Sequence, residues 1–176
     1  STNLRNRVKK LYLPKTKALY PLFEVISNSI HAIQEHQILQ PDFKGEIKII
    51  AIRNGNVETL RKISNMEEYP INSFEIIDNG IGLNEENIKS FSEFDSEKKS
   101  EIRGKGVGRL ICLKAFKKLS VESIYQSGFT YKMLRFDYKK SKEGFDNFED
   151  NLTTPKTKTG TKVILENYED NYDKYV

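Results

Sequence analysis

Hydrophobic spacing divides the chain into a helical early part and a strand-rich late part. From Lys17 to about Gln37, Leu19, Leu22, Phe23, Ile26, Ile30 and Ile33 recur mainly at steps of three and four. That spacing predicts one amphipathic helix with these residues on its apolar face. Pro21 falls in its first turn, where a missing N–H costs least. The same helix carries Glu24, Asn28 and His31, a polar stripe at steps of four and then three. Ahead of it, the basic stretch to Thr16 is interrupted by Pro14 and reads as a short arm or helix. After it, "GEIKIIAIRNGN" alternates as a strand ending at the turn "NGN", and "SFEIIDNGIGL" is a short apolar strand entering a glycine turn. "NEENIKSFSEF" reads as a short helix capped by Asn84.

"DSEKKSEIRGK", from Asp95 to Lys105, has almost no apolar content and reads as a loop. A second amphipathic helix is predicted from Gly108 to Leu119, burying Leu110, Leu113 and Phe116. "SVESIYQSG", "FTYKMLRFDYKK" and "GTKVILENYE" alternate as strands, the first two joined at "SG". "KEGFDNFEDNLTTPKTKTG" reads as a polar loop before the third strand. The sum is an α+β domain: an α/β sandwich with helices on one face of a mixed, mostly antiparallel sheet.

Composition narrows the class. A chain of 176 residues, 37% hydrophobic and 31% charged, fits one globular domain with a heavily solvated surface. No apolar run is long enough to span a membrane, and the N-terminal stretch lacks a signal-peptide core. The single cysteine, Cys112, lies in an apolar segment, which rules out an internal disulfide framework and fits a reducing, cytoplasmic setting. The net charge of +4 comes from 29 basic and 25 acidic residues. The lysine clusters are interleaved with acids, so no concentrated basic stripe supports nucleic-acid binding by this segment.

Three stretches carry candidate chemistry. In "IIDNGIGL" a strand delivers Asp78 to its end, and Gly80 and Gly82 follow at two-residue spacing. Glycines there let backbone approach a ligand, and the carboxylate can accept a hydrogen bond from an exocyclic amine such as adenine's. Taken alone, "DNG" reads first as an ordinary turn, since turn chemistry accounts for every residue. In "RGKGVGRL", Gly104, Gly106 and Gly108 alternate just before a helix, whose free N–H groups and dipole favour a phosphate. Lys105 and Arg109 add positive charge. The stretch is neither a P-loop, since Gly106 follows Lys105, nor the G-x-G-x-x-G dinucleotide fingerprint. In "KTGTKVIL", Thr161 opens the last strand, where its hydroxyl can point toward a base held by Asp78; a plain turn explains that stretch as well. Together these give the polar stripe a purpose, with Asn28 as a Mg²⁺ ligand and Glu24 as a base that orients water.

In this order and spacing the motifs resemble those of the GHKL ATPases, the family of DNA gyrase B subunits, heat-shock chaperones, histidine kinases and MutL proteins. "EVISNSIHAI" is similar to the family's N-box, "DNGIG" and "GKGVG" to its two glycine boxes, and "GT" at 160–161 to its last motif. The likeness covers about Ala18 to Glu166. It implies a Bergerat-type sandwich in one domain, with residues 1–16 as an arm, and ATP bound with Mg²⁺ beneath a lid at about 92–109. It further implies Asp78 on the adenine amine, Thr161 supporting it, Gly80 and Gly82 beside the base, and Asn28 on Mg²⁺. Gly104, Lys105, Gly106, Val107 and Gly108 would surround the phosphates, and Glu24 would be the general base.

His31, also placed among the nucleotide-binding residues, stands where hydrolysing members typically carry an acid. Glu24, four residues before Asn28, is the mark of the hydrolysing branch and disfavours a histidine kinase. Gyrase-like and chaperone-like relatives receive a basic phosphate sensor from a following domain. The expectation is therefore an ATPase module of a longer protein that can pair as an ATP-dependent homodimer, weak in turnover by itself. The alternative is a nucleotide-gated interaction module without turnover.

Overall fold

The computed structural model describes residues 4–53, 70–84, 107–140 and 145–176. In chain order these form α1 (Leu4–Lys10), a 3-10 turn (Lys15–Lys17), α2 (Tyr20–Leu39), β1 (Ile47–Arg53) and β2 (Ile71–Asp78). Then come α3 (Val107–Ala115), β3 (Phe116–Ser127), β4 (Thr130–Lys139), β5 (Phe145–Thr153), β6 (Gly160–Tyr168) and a closing 3-10 turn (Asp173–Tyr175). The "NGN" turn, the short helix after Asn84, the loop 95–105 and most of the expected lid lie outside the described residues.

The strands make one sheet in the order β1-β2-β6-β3-β4-β5, and every recorded pair is antiparallel. The strand latest in the chain therefore sits between β2 and β3. That insertion aligns residues in rows across the sheet. Phe74, Leu165, Leu119 and Tyr138 form one row, and Ile76, Val163, Val121 and Phe136 the next. Asp78, Thr161, Ser123 and Leu134 form the third. Because side chains alternate along a strand, all three rows point to the same face. Two rows are apolar core and the third opens with three polar residues.

Helices cover that face. α2 packs on β2, β1 and β6, while α3 contacts α2, β3 and α1. Leu113, Ala115, Phe116 and Leu165 are fully buried between the layers, and burial of a leucine or phenylalanine side chain stabilises by about 1.5–3 kcal/mol. Rings at the C-terminal side lock the edge of this core: Phe116 stacks on Tyr168 at 4.0 Å, and Tyr168 Oη donates to the Ala18 carbonyl. The stretch read as an arm is seated, with Val8 and Leu13 buried and Tyr172 Oη donating to the Leu13 carbonyl. Among the described residues no helix is long and apolar enough to cross a membrane.

The expected sandwich is present, with three differences in detail. α2 is rotated from its expected orientation: Pro21, Leu22, Val25 and Ser29 are buried, whereas Phe23 is 54% and Ile30 44% exposed. It packs on both the sheet and α3, and the burial of Ser29 against Asp78 turns Phe23 and Ile30 outward. The second helix stops at Ala115 rather than Leu119. From Phe116 the pattern changes to alternation, and the Ala115 carbonyl accepts the Glu169 amide at 2.6 Å beside the central strand. Finally, the polar stretch after Lys140 contains β5, an edge strand. Its Asp and Asn residues suit an edge, where charge and irregular register discourage further pairing, and Asn147 adopts φ 51° amid two register shifts.

Candidate functional site

Asp78 ends β2 on the covered face and is buried to 6% exposure. Ser29 Oγ, from α2, donates to its Oδ2 at 2.7 Å, and the Gly80 amide donates to Oδ1 at 2.9 Å. The Thr161 backbone is a third hydrogen-bond partner. Burial holds the Asp78 pKa above its ordinary 3.8, while those three hydrogen bonds pull the other way. None of the three partners is a cation. A carboxylate offers about four acceptor sites, so three protein donors leave room for roughly one more. The arrangement suits a neutral N–H donor from a ligand.

The turn after Asp78 is pinned at nearly every residue. Asn79 receives the Glu46 amide on Oδ1 at 2.7 Å and donates to the Lys44 carbonyl at 3.0 Å, tying the turn to the segment before β1. A Cβ at Gly80 would lie 2.7 Å from Ala32 of α2, and the Ile81 amide donates to the Ala32 carbonyl at 3.0 Å. Thr159 Oγ1 donates to the Gly80 carbonyl at 2.7 Å. At Gly82 φ is +82°, and a side chain would collide with the Ile124 carbonyl of β3, so only glycine fits. Leu83 N–H then donates to Ser123 Oγ at 2.8 Å.

The second group meets at the start of α3. A Cβ at Gly108 would stand 2.7 Å from Glu24 Oε2, so the absent side chain makes room for that carboxylate. Glu24 therefore faces the helix N-terminus from α2, where exposed N–H groups favour negative charge. Its charge also reaches Cys112, whose thiol is pushed up to about 12 by burial first and Glu24 second. That thiol is no nucleophile. Asn28 and His31 lie on the same helix and are exposed.

The structure thus brings Asp78, Gly80, Gly82 and Thr161 together, and Glu24 to Gly108. Val107 is the first residue of α3, and Gly104, Lys105 and Gly106 lie outside the described residues. Among the described residues no group of three or more His, Cys, Asp or Glu side chains could hold a metal. Asn28 as a single amide ligand still fits Mg²⁺, which keeps several waters and takes other ligands from substrate phosphates.

Two residues escaped the sequence reading. Ser29 buries its hydroxyl against Asp78, and Ser123 sits within hydrogen-bond distance of Thr161 Oγ1 at 2.9 Å. A signal for Ser123 did exist: it is the polar member of the inward-facing series Leu119, Val121, Ser123, Tyr125. A hollow of about 320 Å³ lies on the opposite face, between Ser120, Glu122, Arg135, Asp137 and Lys162. Its charges are largely neutralised by one another or by neighbours, as in Arg135–Glu122 and Lys118–Asp137, so the chemistry points to Asp78 instead.

A family model described as "Histidine kinase-, DNA gyrase B-, and HSP90-like ATPase" matches residues 19–166. No curated protein matches the chain.

Proposed function

The chain belongs to the histidine kinase-, DNA gyrase B- and HSP90-like ATPase family, whose domains bind ATP, and on that premise we propose slow, Mg²⁺-dependent ATP hydrolysis. In this reading the cycle closes a lid at about 92–109, pairs two copies, and drives a longer cytoplasmic protein whose next domain supplies a basic phosphate sensor. Asp78 accepts the adenine amine, Thr161 supports it, and Gly80 and Gly82 let the turn beside the base pack against α2 and β3. The phosphates run toward the start of α3, among Gly104, Lys105, Gly106, Val107 and Gly108, with Asn28 on Mg²⁺ and His31 nearby. Glu24 orients water in line with the γ-phosphate, and Mg²⁺ with the backbone amides stabilises the transferring group's charge.

The observation that carries this reading is the buried Asp78 with neutral protein partners and a spare acceptor site. It is tested by the thermal midpoint with ATP or a non-hydrolysable analogue, with and without Mg²⁺, and GTP as control. At 100 times its Kd a ligand stabilises by about 2.7 kcal/mol, a rise on the order of 5–10 °C for a domain of this size. No shift with ATP would overturn the site. Glu24→Ala should then keep ATP binding and lose phosphate release, and unchanged turnover would remove Glu24 from the mechanism.

His31, in place of the acid of hydrolysing relatives, favours a second reading: a nucleotide-gated interaction module without turnover. ATP binding with no phosphate release from the full-length protein would select it.

A further inference from the structure

Behind the Asp78 end of the site stands a fully buried hydroxyl. Ser123, at 0% exposure, lies directly across the ladder from Thr161, which itself pairs with Asp78. It joins three segments. The Leu83 amide donates to Ser123 Oγ at 2.8 Å, Thr161 Oγ1 lies 2.9 Å away, and the Gly160 carbonyl 3.2 Å away. A packing role alone would be served by alanine, and it would not explain three polar partners converging on one atom.

The proton count makes the contact informative. Serine has one proton and two lone pairs, and the Leu83 amide occupies one lone pair. The proton has two possible acceptors, Thr161 Oγ1 and the Gly160 carbonyl. The former distance is nearer the usual O–H···O length of about 2.7–2.8 Å. When Ser123 donates to Thr161, the Thr161 proton is free to serve a ligand. When Thr161 donates to Ser123, it offers the ligand only lone pairs.

We propose that Ser123 is a positioning residue for the nucleobase: it fixes the glycine turn to β6 and turns Thr161 into an outward donor. The inference rests on the nucleotide reading of the Asp78 site. Its chemistry selects a purine that pairs an exocyclic amine with an unprotonated ring nitrogen beside it. Adenine has that pattern; guanine carries an N–H at that nitrogen.

The test is a double-mutant cycle on ATP binding, with Ser123→Ala, Thr161→Val and the two combined. Ser123→Ala should weaken ATP on the order of tenfold, the equivalent of one lost hydrogen bond. Because Ser123 acts through Thr161, the combined loss should be smaller than the product of the single losses. Adenosine should lose affinity by the same factor as ATP, since only the base end changes. A fully multiplicative double mutant, or unchanged ATP affinity in Ser123→Ala, would overturn the proposal. So would a loss confined to ATP and absent for adenosine, which would place the effect at the phosphates rather than at the base. If Ser123→Ala does not fold, Ser123→Cys keeps the volume with a much weaker hydrogen bond and is judged by the same outcomes. Failure of the wild-type protein to bind ATP would instead remove the nucleotide reading itself, and this inference with it.

Discussion

Two aspartates of one sheet each accept a hydrogen bond from a serine hydroxyl, and their environments send them opposite ways. On the covered face Ser29 donates to Asp78 at 2.7 Å; on the open face Ser120 donates to Asp137 at 2.6 Å. Burial dominates at Asp78 and its pKa is raised. At Asp137 burial is again the largest single influence, yet its pKa is lowered. Hydrogen bonds from Ser120 and Asn147 and the charges of Lys118 and Lys139 together outweigh it. Asp137 is a closed ion-pair cluster, with Lys118 bridging it to Glu166. Asp78 has only neutral partners and one acceptor site to spare. A carboxylate that the protein has already neutralised has little left for a ligand, and one held by amides and a hydroxyl keeps its affinity for a donor.

The largest expected difference between the two is in binding. Asp78→Asn puts an amide where three protein donors converge, and ATP affinity should fall on the order of a hundredfold. Asp137→Asn should leave it within about twofold, because the open face does not adjoin the site. Calorimetric titration of both variants checks this, and equal losses would erase the distinction.

Next in size are the serines. Ser29→Ala leaves a buried carboxylate short of a donor and should cost about 1–3 kcal/mol in urea unfolding. Ser120→Ala, beside a half-solvated cluster that retains Asn147 and Lys118, should cost less than about 1 kcal/mol. A larger cost at Ser120 would reverse the argument.

The pH dependences should have opposite signs. Asp78, raised above 3.8 in the fold, contributes stability that is full below 3.8 and is lost as pH rises through its folded value. Asp137, lowered, contributes stability that is present above 3.8 and is lost as pH falls through its folded value. Asp78→Asn should therefore gain on the wild type as pH rises, and Asp137→Asn should close its deficit as pH falls. Parallel pH profiles for the two variants would break the comparison. The smallest effect is expected at Arg135→Ala, which removes a partly exposed ion pair to Glu122 and should cost about 0.5 kcal/mol or less.

Much of the fold was legible because periodicity reports burial. The positions of α2, β1, β2, β3, β4 and β6 follow from helical spacing or alternation in their own segments. Reading failed where burial departs from apolarity. β5 was missed because its sequence is rich in Asp and Asn and lacks an apolar alternation, and the end of α3 was overrun because Phe116 is buried as well from a strand as from a helix. The orientation of α2 was misjudged because it packs against two elements at once, with Ser29 inward and Phe23 outward.

The proposed site divides in the same way. Asp78, the glycines, Glu24, Asn28 and Thr161 stand out in the chain, since each is a residue type that a local turn or helix stripe makes conspicuous. Ser29 does not, because a lone serine on a helix has no pattern of its own, and Ser123 shows only as the polar member of an inward-facing strand series. Local sequence determined most of the helices and strands, β5 excepted, and which of them carry acceptors and glycine turns. Only the tertiary structure decided that the last strand inserts beside β2 and places Asp78, Thr161 and Ser123 in one row. Strand order is set by non-local pairing, and no spacing within a segment encodes its neighbour.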